Sequence, residues 1–187
     1  MGDSQLTIHD SRFKDKCETF IALLQQWGKV HNLSESLDRG SIEANIEDSI
    51  YPLGFVDDFG SFLDVGTGAG FPGLIIAMAR PEIVGYLIEP RAKRVAFLHF
   101  VKSTLKLDNL TILQKRVEDI KLDIGIDLIT SRAVTNTKLL LNITKHLSNE
   151  NTKYLFYKGS IVESEIEGLG IKNQKIVEYG DRKYLYF

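Results

Sequence analysis

The sequence predicts an α/β fold: a doubly wound, mostly parallel seven-stranded sheet with an antiparallel edge, preceded by N-terminal helices. Three observations carry that expectation. From residue 61 onward, short apolar runs alternate with stretches of helical periodicity. The loop after the first run is crowded with glycines, and in open parallel sheets that loop is the default ligand site. The last two runs are joined by a tight turn at Gly180-Asp181, too short for a crossover, so this pair is expected to be antiparallel.

Taken in order, Phe13, Cys17, Phe20, Ile21, Leu24 and Trp27 recur at helical spacing and define an amphipathic helix over 11–28. Ile42, Ile46 and Ile50 mark a second, weaker helix that ends before Pro52. "SFLDV" (61–65) reads as a short buried strand, and Pro72 falls where the first turn of a helix accepts proline. "VGYLIE" (84–89) is a strand, "AKRVAFLHFVKSTL" (92–105) a long helix, and "LTIL" (110–113) and "IDLITS" (126–131) are strands. A helix over 137–147 carries Leu139, Leu140, Ile143 and Leu147, and strands at 153–157, 175–179 and 183–187 close the chain. Residues 1–58 form a helical segment too short for its own core. It is expected to pack on a domain spanning 59–187, the whole forming one globular unit.

Composition sets the outer limits. The 187 residues are 43% apolar and 26% charged, the balance of a soluble globular protein, with a net charge of −2 that does not announce a nucleic-acid binder. The single cysteine, Cys17, excludes an internal disulfide framework and fits a reducing, cytoplasmic setting. No basic-then-apolar leader opens the chain, and its longest apolar stretch falls far short of a membrane span. His31 and His99 read as structural or surface residues, and no His/Cys/Asp spacing suggests a metal site.

The glycine run narrows the chemistry. In "FLDVGTGAGFPG" (62–73) a dinucleotide fingerprint counted from Gly66 would need its third glycine where Phe71 stands. The spacing is instead D-x-G-x-G-x-G, from Asp64 to Gly70, with bare backbone at Gly66 and Gly68 for a ligand to lie against. An acidic residue two positions before the first glycine suits a cofactor that carries positive charge. S-adenosyl-L-methionine has an ammonium and a sulfonium, and no pyrophosphate for Asp64 to repel. Glu89, at the end of the second strand, can accept both ribose hydroxyls, a device that NAD sites share. The plain alternative is a structural glycine turn with a surface glutamate.

"DVGTGAGFPG", "KRVAFL", "RVED", "ITSRA" and "YKGS", in this order and spacing, resemble the ribosomal RNA small-subunit methyltransferase G family, also called glucose-inhibited division protein B. "WGKVHNLS" (27–34) resembles its N-terminal signature, and "EDSI" (47–50) its "LDSI". The resemblance covers nearly the whole chain. It implies a Rossmann-like class I S-adenosylmethionine-dependent methyltransferase that methylates N7 of one guanosine in 16S rRNA. Asn45 stands where the family usually has histidine, Ser34 where it has threonine, and the segment after "YKGS" is short. Carried over, the family's cofactor contacts fall on Gly66, Phe71, Val117, Glu118 and Arg132. Phe71 would pack on the methionine chain, and the backbone at Val117-Glu118 would read the adenine edge. Arg132, at the end of a buried strand, would hold the methionine carboxylate or line the guanine pocket, and is the expected catalytic residue.

Basic residues gather at the same predicted sheet edge: Arg91, Lys93 and Arg94 on one helix, Lys115 and Arg116 after the third strand, Lys158 after the fifth. Lys93, Arg94, Arg116 and Lys158 are the expected RNA contacts, a basic rim on a nearly neutral protein. The expected partner is 16S rRNA or the small ribosomal subunit, with no membrane and no metal, the protein acting as a monomer. Two other readings stay open: a methyltransferase for a small molecule or protein, with the N-terminal helices as a lid, and a non-catalytic S-adenosylmethionine-binding assembly factor.

Overall fold

The structure is a computed structural model that describes residues 11–31 and 36–187. All of "NLS" (32–34) therefore lies outside the described residues, including the Ser34 departure. Seven strands form one sheet: β1 (Ser61–Val65), β2 (Val84–Ile88), β3 (Leu110–Leu113), β4 (Leu128–Arg132), β5 (Lys153–Lys158), β6 (Lys175–Tyr179) and β7 (Arg182–Tyr186). Their order is β3-β2-β1-β4-β5-β7-β6. The first five run parallel, while β7 is antiparallel to both β5 and β6. Every residue of β1 is buried, as expected of a central parallel strand covered on both faces. The chain leaves β1 toward β2 and β3 and returns on its other side through β4. The topological switch point therefore sits between the carboxyl ends of β1 and β4.

Among the described residues six α-helices cover the sheet: α1 (Ser11–His31), α2 (Arg39–Ile50), α3 (Gly73–Ala79), α4 (Ala92–Leu105), α5 (Thr137–Thr144) and α6 (Val162–Ile166). One face holds a core in which Phe20 and Leu24 of α1 and Ile42 and Ile46 of α2 join Phe62, Leu74 and Phe97. The N-terminal helices thus share a core with the sheet. Phe20 meets Phe71 edge-on with ring centroids 5.4 Å apart, a geometry worth about 0.5–1.5 kcal/mol beyond burial. On the other face Leu63, Ile129 and Phe156 pack with Val117, Leu140 and Val162.

Departures from the expected elements are local. The fourth strand begins at Leu128, because the Asp127 carboxylate instead caps the start of β1, accepting from the Gly60 and Ser61 N–H groups at 2.8 and 2.9 Å. The helix expected over 137–147 tightens to a 3₁₀ turn at Lys145–Leu147. Pro72 precedes α3 rather than lying inside its first turn. α6 escapes a periodicity argument because it is a single turn whose buried residues are Val162 and Ile166 alone.

Candidate active site

At the switch point lies an open cavity of about 690 Å³. The loop after β1 forms its floor. Gly66 and Gly68 adopt φ of +67° and +61°, the left-handed region. A Cβ on Gly66 would also stand 2.6 Å from Val134 Cγ2, so this position requires glycine on two grounds. Gly73 answers a different need. Its N–H donates to Asp64 Oδ2 at 2.9 Å, and a Cβ there would come within 2.6 Å of Asp64 Cβ. The first turn of α3 is thus drawn directly onto β1.

Two carboxylates organise the walls. Glu89, 2% exposed, follows β2 and accepts from the Gly68 N–H at 3.1 Å and the Arg91 N–H at 2.9 Å, with Arg94 Nη1 3.5 Å away. Opposite, Arg132 at the end of β4 stacks over the Phe71 ring at 4.9 Å. Its Nη1 donates to Asn45 Oδ1 at 2.8 Å and to Asp48 Oδ2 at 3.2 Å. Asp48 also receives Arg182 Nε at 3.0 Å and the Tyr184 hydroxyl at 2.9 Å on Oδ1. Asn45, Arg132 and Arg182 all line the cavity.

The expected site residues are therefore only partly brought together. Gly66, Gly68, Phe71, Glu89, Arg94 and Arg132 line the cavity. Phe71 does so as a core residue, 5% exposed, wedged between Phe20 and Arg132. Asp64 does not reach it. Its fully buried carboxylate lies beneath the loop and also accepts from Thr130 Oγ1 at 2.9 Å, its neighbour in the β1–β4 register. Val117 and Glu118 stand outside the lining, because the 3₁₀ turn Val117–Asp119 buries Val117 in the second core and turns Glu118 to solvent. Lys93 and Arg116 are exposed beyond the rim.

Lys158 is corrected more strongly. It is 9% exposed, with its ammonium held by Glu165 Oε2 at 2.7 Å and by the Thr135 carbonyl at 3.1 Å. Burial demands a partner for a charge, and Glu165 provides it, so Lys158 is an internal tie rather than a rim cation. Lys158→Met is expected to lower the unfolding free energy by about 1–3 kcal/mol, the cost of taking the cation from Glu165, which keeps only the Thr137 donors, and the donor from the Thr135 carbonyl. An unchanged urea midpoint would return the ammonium to the solvent rim.

Asn45, Asp48, Val134 and Arg182 gained no role from local spacing. "EDSI" contained Asp48 and the family comparison singled out Asn45, but only the fold brings α2 and β7 to the end of β4.

Burial pushes the Asp64 carboxyl up to about 6, against the nearby Thr67 hydroxyl, hydrogen bonds from Thr130 and Gly73, and the charge of Arg132. The Thr67 hydroxyl is close enough to favour the charged form without the geometry of a full hydrogen bond. Because the folded state holds this proton more tightly than the unfolded chain, the carboxyl's contribution to stability falls as pH rises from about 4 to about 6, then levels off. The expected loss is on the order of 2–3 kcal/mol across that window. Asp64→Asn should flatten that segment, read by urea unfolding at pH 4.5 and 7.5; a parallel profile in the two proteins would contradict it.

Cys17 is not set up as a nucleophile. Cys17 is buried, and that burial, followed by the Glu18 charge, pushes its thiol up to about 12. Among the described residues no three His, Cys, Asp or Glu side chains gather as metal ligands would, and no helix is long and apolar enough to cross a membrane.

Comparison with known proteins agrees with this geometry. Among solved structures, a methyltransferase from Geobacter sulfurreducens superposes with a TM-score of 0.68 at 16% identity, covering 90% of this chain and 88% of its own. A SAM-dependent methyltransferase from Aquifex aeolicus gives 0.61 at 22% identity, covering 80% and 92%. These likenesses establish the Rossmann-like methyltransferase fold. Ribosomal RNA small subunit methyltransferase G of Aliarcobacter butzleri is 59% identical, over 95% of this chain and 91% of the relative. Its counterpart in Wolinella succinogenes is 44% identical, over 95% and 90%. A sequence model of the family described as rRNA small subunit methyltransferase G (GidB) matches residues 14–179. With that match and those relatives, the chain belongs to the rRNA small subunit methyltransferase G family.

Proposed function

We propose that this chain methylates N7 of a guanine in the 16S rRNA of the small ribosomal subunit, with S-adenosylmethionine as methyl donor. The observation that carries the reading is the cavity at the switch point, where side-chain-free loop backbone, a buried carboxylate and four arginines converge in a chain of this family. The residues present fit the cofactor. The left-handed backbone at Gly66 and Gly68 leaves room for a ligand against the loop, and Glu89 offers carboxylate oxygens to a ribose diol. A cavity of about 690 Å³ is in the size range of cofactor sites. The cofactor supplies a methyl group made electrophilic by its sulfonium.

The protein's own work is positioning. Guanine N7 has a free lone pair at neutral pH, so no side chain has to remove a proton before attack, and in-line placement with exclusion of water supplies the catalysis. Phe71 and Arg132 form a flat, cationic wall beside the glycine loop, suited to holding an electron-rich base edge. Arg91 and Arg94 at the cavity, with Lys93 and Arg116 beyond it, provide cations for flanking phosphates.

Calorimetry tests the cofactor half of the reading. S-adenosylmethionine and its demethylated product should bind in the micromolar range and NAD not measurably. Tight NAD binding with no response to S-adenosylmethionine would overturn it.

A further inference from the structure

The cluster around Asp48 has an unusual charge balance. One carboxylate, 8% exposed, serves two guanidiniums from opposite parts of the chain: Arg132 at the end of β4 and Arg182 at the start of β7. Each oxygen takes one arginine, at 3.2 Å from Arg132 Nη1 and 3.0 Å from Arg182 Nε. The carboxylate is itself fixed: Tyr184 donates its hydroxyl to it at 2.9 Å, and the Tyr184 ring stacks on Tyr51. On Arg132 only Nη1 is engaged by side chains of the described residues, which leaves Nε and Nη2 for a ligand. The Arg182 side chain is 39% exposed and borders the same cavity.

We propose that Asp48 is a positioning residue: its single carboxylate sets the spacing of Arg132 and Arg182 across the cavity wall, leaving the pair one net positive charge for a backbone phosphate of the RNA substrate. The inference rests on the methyl-transfer reading above. Two unpaired guanidiniums would repel each other and swing toward solvent, whereas two carboxylates would neutralise the wall. One carboxylate between two planar forks holds both in place and still leaves an anion site. Asn45 completes the arrangement as a neutral acceptor, fixing the Arg132 orientation without removing its charge.

Charge and geometry are separable by substitution. Asp48→Asn keeps the volume but adds one net positive charge. Single-turnover methyl transfer to small subunits should fall at least about tenfold, roughly 1.4 kcal/mol of barrier. Log RNA affinity against log salt should steepen by about 0.7, because one more cation is free to displace counterions. Asn45→Asp changes the charge in the other sense at a half-exposed position: the rate should fall while the salt slope becomes shallower by about 0.7. Tyr184→Phe removes one of the groups that fix Asp48 but no charge, so it should lower the melting temperature, lower the rate less than Asp48→Asn does, and leave the salt slope unchanged. A merely structural Asp48 would lower rate, RNA affinity and melting temperature together, with no change in salt slope in either charge variant, and that result would overturn the proposal. So would a shift confined to cofactor affinity, which would assign the anion site to the cofactor's own carboxylate. Failure of the methyl-transfer reading itself would appear in the wild-type protein, whereas failure of this inference appears only in the variants.

Discussion

Gly66→Val is expected to bind S-adenosylmethionine at least about 100-fold more weakly than the wild-type protein. At φ +67° an L residue costs about 1–2 kcal/mol, and a β-branched one is among the worst accommodated. Its Cβ would also meet Val134 Cγ2 at 2.6 Å, so the loop or Val134 must move. The unliganded loop can relax into another shape, and ligand binding then has to restore the strained one. A total of about 2.8 kcal/mol corresponds to the hundredfold loss. The fold should survive, because Gly73 and Asp64, which join α3 to β1, are untouched. Calorimetry measures the affinity directly, and wild-type binding by the variant would show that the loop backbone is not the cofactor cradle.

Arg132→Ala should lower single-turnover methyl transfer by about 100-fold, or roughly 2.7 kcal/mol of barrier, with little change in folding. Asp48 keeps Arg182 and Tyr184 as partners in that variant, so no buried carboxylate is stranded. What is lost is the cation stacked on Phe71 in the cavity wall, with the Nε and Nη2 donors that no side chain of the described residues engages. Lysine should not restore the rate, since a point charge on a flexible stem can neither stack on the ring nor present a planar fork. The pH profile should keep its shape, because the arginine positions the reactants and takes no proton from them. A variant with the wild-type rate would remove Arg132 from the reaction.

How much of this was legible in the sequence depends on distance along the chain. β1, β3 and α4 were readable to the residue, because buried apolar runs and 3.6-residue periodicity are local signals. The glycine loop was legible too, since left-handed backbone leaves a direct trace in residue choice. The fate of charged side chains was not. Asp64 and Lys158 carry the same letters whether they face a ligand or a buried partner. Only the register that pairs Asp64 with Thr130, and the α6 turn that carries Glu165, decides between the two. Val117 and Glu118 follow the family pattern in sequence, yet their 3₁₀ turn points one into the core and the other to solvent. Arg182 and Asp48 lie 134 positions apart, and no spacing rule reaches that far.

The central claim is methyl transfer to N7 of guanine by positioning alone, and single-turnover reaction of the protein with labelled S-adenosylmethionine and purified small ribosomal subunits tests it most directly. The account predicts one labelled guanine in the rRNA, modified at N7, at a rate nearly flat from about pH 6.5 to 8.5, where no group has to lose a proton first. Label on an exocyclic amine or a ribose hydroxyl with a rate rising steeply with pH, or no label in the RNA at all, would contradict it.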